Sequence, residues 1–296
     1  MENIKISKVC GLCAGCTFAI NTTKNELNKR KPVTIFKEIV HNKNVNYLLH
    51  TLGAKCEDDI SKLNSSETII IRAHGEPPST YAYLNSIGAN YVDCTCPNVK
   101  AIHNLVKKHY DNGYKIILLG KFHTTMHPEV LSTNGWANND AILIENEHDL
   151  KKLDNQSNNK FYLVCQTTFN ISLADELINK IKTILEPHNE LIINKSICLA
   201  QKTINEYSVK LAHDSDIMIV VGGKNSSNTK ELYNNLIQYK PTILIENITE
   251  YKDALKDIGI KLSPSTKVGI TAGASTMREE LESLKTLIEY DLNKKE

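Results

Sequence analysis

The chain has 296 residues, 41% hydrophobic and 23% charged, long for one core and in keeping with a folded protein of two or three domains. Its formal net charge of +1 gives no field for gripping nucleic acid or an anionic membrane, and no uninterrupted apolar run reaches membrane-spanning length, so neither partner is expected. Arg30, Arg72 and Arg278 are the only arginines, so an anion site has to rely on His, Ser, Asn, Lys and backbone amides.

The opening Met-Glu-Asn-Ile-Lys carries no apolar signal region, and a cytoplasmic location is expected. In that reducing compartment the eight cysteines are expected as thiols or metal ligands, not as a disulfide framework. Cys10, Cys13 and Cys16 stand at C-x2-C-x2-C spacing, similar to the start of a ferredoxin-type iron–sulfur run, but no fourth cysteine follows before Cys94-Thr95-Cys96-Pro97. Short apolar runs of β type then recur at 33–36, 68–72, 115–119, 141–144, 161–165, 217–221, 242–245 and 267–271. Helical spacing fills 101–110, 173–185, 204–212, 230–237 and 279–290. Strands alternating with helices predict βα units and mainly parallel sheets, with function at the carboxyl ends of the strands.

The residues after those strands show a threefold pattern. Cys13 is followed by a strand tipped with His41-Asn42 and another tipped with His74-Gly75. Cys96 is followed by tips at His127-Pro128-Glu129 and Gln166-Thr167-Thr168, and Cys198 by tips at Ser226-Ser227-Asn228 and Ser275. The pattern predicts three related α/β domains, 14–96, 97–194 and 195–296 with residues 1–13 joining the last, each giving one thiolate and two polar loops to a common centre. Three thiolates fill three corners of an iron–sulfur cluster and leave one iron open. Cys10, Cys16, Cys56, Cys94 and Cys165 are expected as small buried hydrophobes. Imidazole, hydroxyl and amide donors at His41, His74, His127, Ser226, Ser227, Asn228 and Ser275 suit phosphate oxygens, and Glu129 is the one carboxylate placed among them for proton transfer. The remaining histidines, His103 and His123 among them, are expected to be structural or exposed.

Nine blocks, from Gly11-Leu12-Cys13-Ala14-Gly15 through Ala73-His74-Gly75, His127-Pro128-Glu129-Val130 and Val221-Gly222-Gly223-Lys224-Asn225-Ser226-Ser227-Asn228 to Thr271-Ala272-Gly273-Ala274-Ser275, together resemble the 4-hydroxy-3-methylbut-2-enyl diphosphate reductases over nearly the whole chain. The resemblance implies a pseudo-threefold α/β cloverleaf around one 4Fe–4S cluster held by Cys13, Cys96 and Cys198. It implies two-electron reductive dehydroxylation of an allylic diphosphate, with the open iron taking the substrate hydroxyl and electrons from reduced ferredoxin or flavodoxin. Thr167 then orients the substrate alcohol, Glu129 relays protons, and the His, Ser and Asn groups named above hold the diphosphate. An iron–sulfur hydro-lyase and a zinc-stabilised binding domain are the alternatives; widely separated cysteines fit structural zinc poorly. The sequence departs from the family pattern in a longer 121–126 loop, in Ser132 where glycine is usual, and in 201–205, which lacks the expected Thr and Arg.

Overall fold

The computed structural model describes residues 3–40, 42–224, 226–274 and 276–294, with residue 227 by its backbone alone. Strand and helix alternate from the start, with β1 (Ile4–Ile6), α1 (Ala14–Asn28), β2 (Val33–Phe36), α2 (Lys43–Thr51), β3 (Lys55–Glu57), β4 (Thr68–Ile71), α3 (Pro78–Ser86) and β5 (Asn90–Asp93). Then come α4 (Pro97–Asp111), β6 (Lys115–Leu119), α5 (Pro128–Gly135), β7 (Ile142–Ile144), β8 (Lys160–Cys165), α6 (Ile171–Leu185) and β9 (Glu190–Asn194). The last third holds α7 (Leu199–His213), β10 (Ile217–Val221), α8 (Ser227–Leu236), β11 (Thr242–Ile245), α9 (Tyr251–Asp257), β12 (Val268–Ala272) and α10 (Arg278–Asn293).

The strands form three wholly parallel four-stranded sheets, in the orders β3-β2-β4-β5, β7-β6-β8-β9 and β11-β10-β12-β1. Within each of the first two sheets the order is second, first, third, fourth. The third sheet has the same order once β1, from the other end of the chain, is counted as its fourth strand. The repeat read from the polar tips is therefore a repeat of topology. The chain forms two compact units. The third sheet lies in the one made of Met1–Ile20, Val40–Thr51 and Leu199–Glu296, and the other two sheets in the one made of Asn21–Ile39 and Leu52–Cys198.

The central strands are apolar on both faces because helices cover both. In β6 and β8, Ile117, Leu119, Leu163 and Cys165 join the cluster beneath α6, whereas Ile116, Leu118, Tyr162 and Val164 join the one beneath α4 and α5. The same alternation splits β10, with Ile217, Ile219 and Val221 packing toward α10 and Met218 and Val220 toward α7 and α8. This is the signature of buried parallel strands, and each fully buried aliphatic side chain contributes about 1.5–3 kcal/mol. It also explains which strands the sequence reading finds. The strands missing from it, β1, β3, β5 and β9, are four of the sheet edges, short and half-exposed, whereas the edges β7 and β11, filled by apolar residues, are found.

Cys94 and Cys165 are buried as expected, but Cys56 is exposed, because it stands on the edge strand β3. Cys10 and Cys16 are only half-buried. Among the described residues no helix is long and apolar enough to cross a membrane.

Ile4 is 1% exposed and packs in the core of the third sheet, while Lys5 beside it faces solvent. Ile4→Ala is predicted to lower the unfolding free energy by about 2–5 kcal/mol and Lys5→Ala by less than about 0.5 kcal/mol, read from urea midpoints.

Candidate functional site

A sheet whose order runs second, first, third, fourth reverses direction between its first and third strands, and a crevice opens at their carboxyl ends. Among the described residues, several of the expected polar tips follow these strands. First strands lead to Asn42, His127 and Ser226, and third strands to His74 and Thr167. The fourth strand carries the cysteine. Cys13 directly precedes α1, Cys96 precedes α4 and Cys198 precedes α7. Each of these cysteines thus stands at a helix N-terminus.

Local sequence explains these placements. Pro97 and Pro128 occupy the first turn of α4 and α5, and proline forces the residue before it into extended backbone. Cys96 (φ −52°, ψ 133°) and His127 (φ −62°, ψ 136°) therefore become N-cap residues. The Asp93 carboxylate braces the turn into Cys96, accepting from the Thr95 amide at 3.0 Å and from Lys100 Nζ at 2.8 Å. Burial works against its charge, but these bonds hold the Asp93 carboxyl below its ordinary range.

In the unit of the first two sheets, the predicted groups close into a ring of contacts. The His74 and His127 rings meet edge to face at 5.5 Å. His127 Nδ1 accepts from the Glu129 amide at 3.2 Å, which leaves the proton on Nε2 as a donor. Glu129 accepts from both the amide and the hydroxyl of Thr167, each at 2.6 Å. The Thr167 carbonyl accepts from the Cys198 amide at 2.8 Å, and Cys198 Sγ accepts from Asn98 Nδ2 at 3.4 Å. Asn98 lies in the first turn after Cys96, whose own amide donates to the Ala73 carbonyl beside His74 at 2.9 Å. Glu129 is 2% exposed, and burial pushes its carboxyl up to about 7 against the two Thr167 hydrogen bonds.

The other unit places Cys13 beside Ala274, just past β12. The Cys13 amide donates to the Ala274 carbonyl at 3.0 Å. Hydrogen bonds to the Cys13 thiolate, first from the Cys16 thiol and then from the Cys16 and Gly15 amides, lower it to about 6 although burial opposes this. Ser226 caps α8 through the Thr229 amide at 3.4 Å. Gln201, one of the departures from the family pattern, donates Nε2 to the Asn228 carbonyl at 3.1 Å. Gln201 Oε1, Asn205 Oδ1, Asn228 Oδ1 and Thr229 Oγ1 are buried without hydrogen-bond partners on the first turns of α7 and α8. Groups of that kind are ordinarily paired. His41, Ser275 and the Ser227 side chain lie outside the described residues.

The longer 121–126 loop is a closed excursion. The His127 amide donates to the Lys121 carbonyl at 3.0 Å, and the Phe122 and His123 amides both donate to Glu145 at 2.6 Å, so the extra length leaves His127 in place. Two groups carry no sequence signal of their role. Glu76, 1% exposed, pairs with Arg72 at 2.6 Å and Lys37 at 2.9 Å and anchors the His74 loop. His103 is equally buried, and desolvation lowers its imidazole to about 4, so the ring is neutral. Each sits in a helix or loop as an isolated polar residue, and only the packing around it shows its use.

Among the described residues, no three His, Cys, Asp or Glu side chains gather closely enough for a single metal ion. A cluster spreads its thiolates wider than one ion does. The donor chemistry suits one, with reduced cysteines at helix N-termini and one of them poised as thiolate. In the unit of the first two sheets, Cys96 and Cys198 at helix N-termini and the His74–His127 pair lie in one ring of contacts with the buried Glu129 carboxyl, at the strand switch points of an α/β protein.

A family model described as LytB protein matches residues 4–289. The chain belongs to the LytB family. A curated relative from Clostridioides difficile (strain 630), named 4-hydroxy-3-methylbut-2-enyl diphosphate reductase, is 36% identical over 97% of this chain and 99% of its own length. A relative of the same name from Helicobacter pylori (strain P12) is 34% identical over 96% and 98%. The solved E-1-hydroxy-2-methyl-but-2-enyl-4-diphosphate reductase from Plasmodium falciparum superposes with a TM-score of 0.83 at 28% identity, covering 96% of this chain and 87% of that one. A second solved structure, titled as the terminal enzyme of the non-mevalonate pathway, gives 0.72 at 31% identity over 97% and 99%.

The raised Glu129 carboxyl has a consequence for stability. In the folded chain it holds its proton up to about 7, against 4.5 ordinarily, so the stability it supports is complete below pH 4.5 and is lost as pH rises through 7. Glu129→Gln, measured by denaturant unfolding of the metal-free protein, is predicted to flatten the decline in stability between those two pH values.

Proposed function

We propose that the chain catalyses the reductive dehydroxylation of 4-hydroxy-3-methylbut-2-enyl diphosphate to isopentenyl and dimethylallyl diphosphates. The observation that carries this reading is the Glu129–Thr167 pair, seated in one ring of contacts with the Cys96 and Cys198 helix caps and the His74–His127 pair. The reaction breaks the allylic C–O bond, releases the oxygen as water and takes up two electrons and two protons. It therefore needs an acid at the departing oxygen, donors for a diphosphate and an electron source.

Cys13, Cys96 and Cys198 would hold one 4Fe–4S cluster, each from the helix N-terminus after a fourth strand. When bound, such a cluster supplies low-potential electrons, received here from reduced ferredoxin or flavodoxin. The diphosphate falls to His41, His74, His127, Ser226, Ser227, Asn228 and Ser275. Support for two of these comes from His127, whose Nε2 proton is directed outward by its Nδ1 bond, and from Ser226, at the cap of α8 where amides favour an anion. Glu129 is near half-protonated at neutral pH; in its protonated form it would donate to Thr167 Oγ1, reversing the bond that its carboxylate accepts, and the freed Thr167 hydroxyl would pass its own proton to the departing oxygen. Burial of Glu129 keeps bulk water from competing for that proton. Each sheet with its helices would form one domain, 14–96, 97–194 and 195–296 with 1–13, in a cloverleaf about the cluster. A cytoplasmic location accords with the reduced thiols and the soluble electron donor.

Protein purified without oxygen is predicted to be brown, with about four iron and four sulfide per chain. It should consume the hydroxylated diphosphate only with a low-potential reductant; turnover without one would mark a hydro-lyase, and colourless zinc protein a structural domain. Cys13→Ser should cost most of the iron and Cys10→Ser or Cys16→Ser none. Glu129→Gln should keep iron and substrate binding and lose turnover by about 100-fold or more, the scale of a missing general acid. Normal turnover in that variant would remove the proton relay.

A further inference from the structure

His103 projects from α4 into the space between three segments that the proposed site depends on. Its Nε2 lies 2.9 Å from Ser132 Oγ on α5, the helix that carries Glu129 and is capped by His127. Its ring stacks on Trp136 at the end of α5, with centroids 5.5 Å apart and planes 20° from parallel. Its edge lies under Gly75, which has the left-handed φ of +71°, and a Cβ there would stand 2.6 Å from His103 Cε1 and 3.2 Å from Ser132 Oγ. Only glycine lets the His74-Gly75 turn settle on the imidazole. The helix bearing His103 begins directly after Cys96.

One neutral side chain therefore touches the loop of His74, the helix of His127 and Glu129, and the helix capped by Cys96. Ser132 is 1% exposed and His103 2%, so water cannot replace their bond. Trp136 closes the arrangement by donating Nε1 to the Glu76 carbonyl, one residue past Gly75, at 3.2 Å. A residue without a hydroxyl at 132 could not make this bond. In this chain the serine supplies a hydrogen bond that ties α5 to α4.

We propose that His103, held by Ser132, is a positioning residue that sets the spacing of His74 and His127 and thereby the grip on the diphosphate. This rests on the reading that those two histidines hold diphosphate. A ring that is only core filling would affect stability alone. A ring that sets the spacing also affects ligand affinity, because the edge-to-face pair has no covalent tie of its own across the two loops.

The test is calorimetric titration of inorganic diphosphate into cluster-loaded protein without oxygen, together with thermal midpoints and KM and kcat. Wild type should bind. Ser132→Ala, which removes one oxygen from a buried site, should weaken binding about fivefold or more and raise KM in step, with iron content unchanged. His103→Leu should do the same, and His103→Gln, which keeps a polar group within reach of Ser132, should recover most of the affinity. A Ser132→Ala protein that binds diphosphate like wild type, whatever its thermal midpoint, overturns the inference. If wild type itself does not bind diphosphate, the assignment of the two histidines fails and the inference falls with it. Should His103→Leu not fold, Ser132→Ala alone decides.

Discussion

The constraint on which the rest depends is the strand order shared by the three sheets. With parallel strands ordered second, first, third, fourth, the crossovers that leave the first and third strands diverge, and the crevice lies at the carboxyl ends of the two central strands. Those strands are the most apolar in the molecule, buried on both faces, and their ends are consequently rigid. A polar residue two or three positions past such an end, as Thr167 and His74 are, inherits that rigidity, and the N-terminus of α5 carries His127 and Glu129. This is why His74, His127, Glu129 and Thr167 can be turned toward one another by short loops without a dedicated scaffold.

The helix that follows each fourth strand adds the second constraint. Prolines at the starts of α4 and α5 fix Cys96 and His127 as caps before any tertiary contact forms, since the restriction is within the dipeptide. The first helix has no such proline, and Cys13 is instead prepared by hydrogen bonds from Gly15 and Cys16. Local chemistry thus differs between the sheets while the outcome, a thiol at a helix N-terminus, is the same. Against this background the burial of Glu129 is costly, and the two Thr167 bonds only partly offset it, which leaves an acid that titrates near neutrality.

Much of this was legible in the sequence. Central strands announced themselves as apolar runs, and the residues after them named themselves by polarity. Four edge strands, β1, β3, β5 and β9, stayed hidden because they are short and half-exposed, whereas the edges β7 and β11 were read because apolar residues fill them. The start of α4 was read late, since Pro97 interrupts the helical spacing at its first turn although it opens the helix, and α5, opened by Pro128, was not among the helices read. Cys56 was misread as buried because a lone cysteine does not say which strand is the edge.

By itself the sequence determined the α/β class, the repeated order of thiol and polar tips, and the family to which the chain belongs, because strand periodicity and short motifs are properties of neighbouring residues. Only the tertiary structure decided that the N-terminal segment, expected with the last domain, enters its sheet as the strand β1, that Glu129 is buried against Thr167, and that His103 and Ser132 meet. Those facts join residues far apart in the chain, and they follow from which faces pack together. No local pattern encodes that, since a buried histidine and an exposed one are written with the same letter.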